Sequence, residues 1–152
     1  MTDMIPTEDT IYQSIRTVLV TARQKAYNAV NFAMVEAYWN IGRQIMEAQK
    51  GQRAEYGIGL IKYLAERLTD EFGKGFTETN LKYMRQFYAV FPIRHALRDQ
   101  LSWTHYRLLM KIDNAPRREF YLKECAESNW SYQQLKHKRI LIENKLKENN
   151  NG

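Results

Sequence analysis

This chain has almost nothing to cross-link it and little to interrupt it. Its one cysteine, Cys125, excludes an intramolecular disulfide and suits a reducing compartment. Three prolines and seven glycines in 152 residues leave room for long regular elements. No apolar run approaches the roughly 18 residues that a membrane span needs, so nothing is expected to cross a bilayer. The opening MTDMIPTEDT is polar and acidic and lacks the basic and apolar stretches of a secretion signal, so a cytoplasmic protein is expected. No sustained period-two alternation is present. Strands are not required, although a short hairpin fits between Ile93 and Leu101.

Chemistry-bearing clusters are equally scarce. His95, His105 and His137 are scattered, and Cys125 has no partner at ligand spacing, so neither a metal site nor a cofactor is expected. The segment FGKGF lacks the glycine count and the Lys-Ser/Thr of a phosphate loop. Glu143-Asn144-Lys145 has the Glu-x-Lys spacing of restriction-type nucleases, with Asp113 upstream. Those enzymes hold their acids on adjacent strands around a divalent metal, whereas Glu143 lies in a helical pattern. His105, beside Trp103 and Tyr106, has the side chain of an acid–base group, but a histidine among helix aromatics is more often structural. Cys125 reads as a small core residue. The chain is read as a non-enzyme.

What is present is helical period and uneven charge. Residues 1–73 hold eight basic and nine acidic side chains, a net of −1, and residues 74–152 hold fifteen and eight, a net of +7. A near-neutral half joined to a basic half suits a scaffold carrying a surface for a polyanion, or for an acidic protein.

From Thr7, a good N-cap, an apolar line runs through Ile11, Ile15, Leu19, Ala22, Ala26, Ala29, Ala33, Ala37 and Ile41 in steps of three and four, and Val30, Met34, Tyr38, Trp39 and Ile45 widen it. Such a helix of about 40 residues is about 60 Å long, more than a domain of this size covers. It either kinks near Asn40–Gly42 or packs on a second chain, and a homodimer through residues 8–50 is the reading adopted here. Gly51 stops it, and a loop to Gly57 follows. After Pro92, three further helices are expected. They start at Ser102, near Pro116 and at Ser131, before a frayed polar tail.

The stretch from Ile61 to Phe91 reads as helix, glycine turn, helix. Ile61, Leu64, Ala65, Leu68 and Phe72 form one stripe; Gly73 and Gly75 reverse the backbone; Thr77 caps the second helix, with Phe76 placed to staple onto Leu81. Leu81, Met84, Phe87, Tyr88 and Phe91 form the second stripe. The opposite side carries Thr79, Lys82, Tyr83 and Gln86, with Arg85 at its boundary. These groups can read base edges or phosphates, although a solvated outer face is the commoner meaning of such a pattern. Arg94, Arg98, Lys136, Lys138 and Arg139 would neutralise phosphates.

The fold expected is all-α: a multi-helix domain with one long N-terminal helix and a helix-turn-helix-like core. Residues 1–57 form the helix and loop, 58–147 the basic helical region and 148–152 a disordered tail, together making one domain.

Several ordered phrases resemble the N-terminal domain of YhcG-like PD-(D/E)xK nucleases: AYNAVNFAMVEAYWNIGRQI, RAEYGIGLIKYLAERLTDEFGKGFTETNLKYMRQFY, LSWTHYRLLMKI and REFYLKECAESNWSYQQLKHKRI. The resemblance covers about Ile15 to Leu146. It implies an all-helical DNA-binding or targeting module that precedes a C-terminal nuclease domain, in a family associated with mobile elements and defence. It carries over no catalytic residues, because none of the nuclease half is present in this sequence. Two functions are therefore carried forward: a module that binds duplex DNA, and a protein-interaction or dimerisation module that serves a separate nuclease domain or subunit.

Overall fold

A computed structural model describes residues 7–151, and the structural statements below concern those residues. It has six α-helices: α1 (Glu8–Gln49), α2 (Ala54–Phe72), α3 (Glu78–Val90), α4 (Trp103–Leu109), α5 (Ala115–Ser128) and α6 (Tyr132–Asn151). The fold is all-α, as the uniform helical period implies. No strand occurs among the described residues, and the hairpin that fitted between Ile93 and Leu101 is instead a 3-10 turn at Arg94–Ala96. There the Ala96, Leu97 and Leu101 amides donate to the carbonyls of Ile93, Arg94 and Arg98, and the Arg98 amide donates to the Tyr106 hydroxyl at 2.8 Å, so local turns and one side chain satisfy the segment that a strand partner would have served.

Local chemistry sets the helix starts. The hydroxyls of Thr7 and Thr77 accept from the amides of Thr10 and Asn80, each at 3.1 Å, and the Asn114 side chain accepts from Arg117 at 2.9 Å. Ser131 accepts from the Gln134 amide at 3.2 Å. At the close of α2, Gly73 has φ +80° and Gly75 has φ +112°, conformations that side chains other than glycine avoid. The Asn80 amide group then donates to the Gly75 carbonyl at 3.1 Å, fixing the turn into α3. Phe76 packs against the cluster that contains Leu81, and its ring lies 6.1 Å from that of Phe72.

One alternative left open by the sequence is not taken, and two boundaries differ from its reading. First, α1 runs through Asn40–Gly42 as one α-helix, with no break there. Gly42 instead permits close approach: a Cβ there would overlap the Met84 carbonyl oxygen and lie 2.6 Å from its carbon. Second, α2 begins at Ala54 and not after Gly57, because Arg53 supplies the extended cap and Gly57 is accommodated within the first turn. Third, α6 continues to Asn151, so the expected frayed tail 148–152 is helical as far as Asn151. Gly152 and the segment 1–6 of the acidic opening lie outside the described residues.

The core lies where α1, α3 and α4 meet, and α5 and α6 cover α4. Phe87 packs on Trp103 and Tyr106 with ring centroids 5.2 and 4.9 Å apart. Trp39 turns its indole N–H to the Phe91 carbonyl at 2.6 Å, which ties α1 to the end of α3. A smaller cluster of Ile45, Ile61, Leu81 and Met84 holds α2 in place. Only Ile61 of the α2 stripe is fully buried; Phe72 is 63% exposed.

The face α1 turns to this core is not the stripe legible in its first half. Val35, Trp39, Gly42 and Ile45 are buried, and at 100° per residue they lie about 180° around the helix from Ala22. No residue of α1 before Val35 is buried.

Candidate nucleic-acid interface

The site is built on α3. Leu81, Met84 and Phe87 point inward and are fully buried, which fixes the rotation of the helix and turns the residues between them to solvent. Thr79, Lys82, Tyr83, Arg85 and Gln86 then line one open depression, together with Ala89 and with Met46 of α1. The cavity measures about 470 Å³, and none of its lining residues is acidic. Thr79, Lys82 and Gln86 are exposed.

Two of the five are held by neighbours. Arg85 donates to the Gln49 side-chain oxygen at 2.9 Å, and the Gln49 amide group donates to the Gly57 carbonyl at 3.0 Å. This chain joins α1, α2 and α3 and leaves Arg85 held in place rather than free. Tyr83 is half-buried beneath Arg107 of α4, whose guanidinium carbon lies 4.4 Å from the ring centroid. Arg107 is the cation that the pattern of α4 did not reveal. Its position among Tyr106, Leu108 and Leu109 reads as the edge of a core stripe, and only the packing of α4 on α3 puts it over Tyr83.

The remaining candidates are elsewhere. Arg94 is exposed but paired with Glu36 of α1 at 2.9 Å. Arg98 lines a different depression that also holds His95, Asp99 and Glu119, a mixed-charge environment. Lys136 and Lys138 are exposed on α6, which packs on α4 and α5. Arg139 is half-buried and paired with Glu143 at 3.1 Å. The structure thus gathers the α3 residues and leaves the other cations on separate elements.

The acid–base candidate is a clamp. His105 is buried, and its Nδ1 faces both the Ser102 amide at 3.0 Å and the Ser102 hydroxyl at 2.7 Å. Its Nε2 lies 2.7 Å from the Trp130 carbonyl oxygen. An N–H directed at Nδ1 and a carbonyl facing Nε2 define the neutral tautomer with the proton on Nε2. Desolvation by burial holds its pKa below the usual 6.5, outweighing the opposite pull of the Trp130 carbonyl. Neither nitrogen is free for proton transfer; the ring joins the start of α4 to the turn before α6. Cys125 is buried, and burial pushes its thiol up to about 11, so it stays protonated and serves as core. Glu143 of the Glu-x-Lys triplet lies on α6, paired with Arg139. Among the described residues no group of three or more His, Cys, Asp or Glu could hold a metal ion, and no helix is long and apolar enough to cross a membrane.

The family described as "DUF1016 N-terminal domain" matches residues 14–147, from the exposed first half of α1 to the last turns of α6. The chain belongs to the DUF1016 N-terminal domain family. Among curated proteins it is 30% identical over 159 aligned residues to one from Escherichia coli (strain K12) that bears the name "Putative nuclease YhcG". The match takes in 82% of this chain and 42% of that protein, so the chain spans about two-fifths of its relative's length. No solved structure matches. In this DUF1016 N-terminal domain the matched segment contains the whole of α2 to α5 and the α3 depression.

Proposed function

We propose that this DUF1016 N-terminal domain is a duplex-DNA-binding and targeting module of a nuclease system, without a catalytic site of its own. It would serve a separate nuclease domain or subunit, in the cytoplasm. The observation that carries this reading is the α3 depression. Five residues of the types that read bases and phosphates line it without an acid, and an arginine is stacked on its tyrosine. In this reading α2 and α3 act as a helix-turn-helix pair. Lys82 meets phosphate, while Thr79, Tyr83 and Gln86 face the base edges, and Arg85 acts through the position it holds. The module is a homodimer through residues 8–50.

The pairing of Arg94 and Arg139 with carboxylates lowers the count of cations available to phosphate. Lys82, Arg98, Lys136 and Lys138 stand exposed without an ion pair among the described residues. Engagement of all four gives a slope of about −3.6 for log affinity against log salt. Fluorescence anisotropy with a labelled duplex over a salt series measures it. Lys82→Ala is expected to reduce the slope by about one unit, and Gln86→Ala to leave it unchanged while costing roughly 1–3 kcal/mol on a preferred sequence. A folded protein with no salt-dependent binding at low ionic strength would overturn this reading. It would leave the interaction module, which the unburied first half of α1 favours.

A further inference from the structure

The first half of α1 presents an apolar stripe that its own domain does not cover. Ile11, Ile15, Val18 and Leu19 are 48 to 65% exposed, and Ala22, Ala26, Ala29 and Ala33 are exposed as well. This stripe is not the overflow of a core-facing surface, since the core face of α1 lies on the opposite side of the helix. Charged residues flank it and none interrupts it.

The spacing of the stripe is symmetric about Ala22. Going back from Ala22, the steps to Val18, Ile15 and Ile11 are four, three and four; going forward to Ala26, Ala29 and Ala33 they are again four, three and four. Side-chain size is not symmetric: the backward arm is bulky and the forward arm is alanine. We infer that a second copy of this chain packs on the stripe antiparallel, with the two-fold axis beside Ala22. That register sets Ile11 opposite Ala33, Ile15 opposite Ala29, Val18 opposite Ala26 and Ala22 opposite itself. Every level then pairs a large side chain with a small one, or small with small, and the helices keep an even, close separation. A parallel pair would stack bulk on bulk at one end and alanine on alanine at the other, forcing the helices to splay. Where the arms end, Ala29 and Ala33 form part of an open depression of about 410 Å³ that Lys25, Asn28, Phe32, Glu36 and Asp99 also line, so the partner's Ile11 and Ile15 would seat on the alanines with charged groups at the rim. The seam is about 35 Å long, counted at 1.5 Å per residue. It would bury on the order of 1,000 Å² in total, the lower bound for a specific dimer. This rests on the dimer of the proposed function and gives it an orientation and a register.

Sedimentation equilibrium of the full chain at tens of micromolar is expected to show a dimer, and Ala22→Glu a monomer with an unchanged far-ultraviolet spectrum, because residue 22 is solvent-exposed in the single chain. With oxidised glutathione as oxidant, Ala22→Cys is expected to form a covalent dimer. Ile15→Cys alone is not, but Ile15→Cys mixed with Ala29→Cys is; buried Cys125 serves as the wild-type control. A dimer in which Ile15→Cys links to itself would overturn the register while leaving a dimer, and a wild-type monomer would overturn the inference outright. Anisotropy on the same samples separates this from the DNA reading, which fails only if the folded protein, dimer or monomer, does not bind duplex.

Discussion

Gly42→Ala tests how closely α1 and α3 are packed. The added methyl would overlap the Met84 carbonyl oxygen and lie 2.6 Å from its carbon and 3.1 Å from the Arg85 amide nitrogen. All three are backbone atoms of a helix, so no rotamer change can clear them. The helices must move apart by on the order of 1 Å to restore ordinary contact. That displacement falls between Trp39, bonded to the Phe91 carbonyl, and Ile45 in the smaller cluster, so both ends of the contact loosen. Overpacking costs roughly 1–3 kcal/mol and more where backbone must shift, against a gain of about 1 kcal/mol from alanine's better helix propensity. The net expectation is a loss of about 2 kcal/mol, or roughly 4–8 °C in Tm for a chain of this size. Gly59→Ala is the matched control: its Cβ would meet nothing within 4 Å, so it is expected to stabilise by about 0.5–1 kcal/mol. Urea titration followed by circular dichroism measures both. A neutral or stabilising Gly42→Ala would refute the close approach, and with it the rotation of α3 that exposes the candidate site.

Two further outcomes follow from the core. Trp39→Phe keeps the aromatic bulk but leaves the Phe91 carbonyl unpartnered, and should cost about 1–3 kcal/mol in the same titration. His105 has a folded pKa below 6.5, so the unfolded chain binds the proton more readily. Its contribution to stability is complete above pH 6.5 and is lost as the pH falls below that value toward the folded pKa. The urea midpoint is expected to drop between pH 7.5 and 5.5, and by less in His105→Gln, which cannot take up that proton. An equal drop in both proteins would place the titrating group elsewhere.

Much of this architecture is legible without coordinates because its punctuation is local. Thr7, Thr77 and Ser131 each cap with a side chain three residues from the amide it serves, and Gly73 and Gly75 sit where φ is positive; the Asn114 cap, by contrast, is visible only in the structure. The α3 face was equally readable, because an alternation of buried and exposed positions needs only the helical period. The helix faces that meet distant partners were not. The main apolar line of α1 runs from Ile11 to Ile41 with Trp39 and Ile45 only widening it, yet the core takes Val35, Trp39, Gly42 and Ile45 from the far side. A glycine within a helix looks the same in sequence whether it bends the chain or admits a neighbour; only the position of Met84 decides. The pairings of Arg85 and Arg94, unlike the i,i+4 pair of Arg139 with Glu143, were hidden for the same reason. Arg85 meets a residue 36 positions away and Arg94 one 58 positions away, and no periodicity within a single helix carries that information.

The claim that α3 carries the DNA-facing surface is tested most directly by titrating isotope-labelled protein with a short duplex at low salt and following the backbone amides by NMR. The account predicts that the largest shifts fall on Thr79, Lys82, Tyr83 and Gln86, with Arg107 moving alongside Tyr83, and that they fade as salt is raised. Shifts confined to α6, or a spectrum unchanged by duplex at low ionic strength, would contradict it.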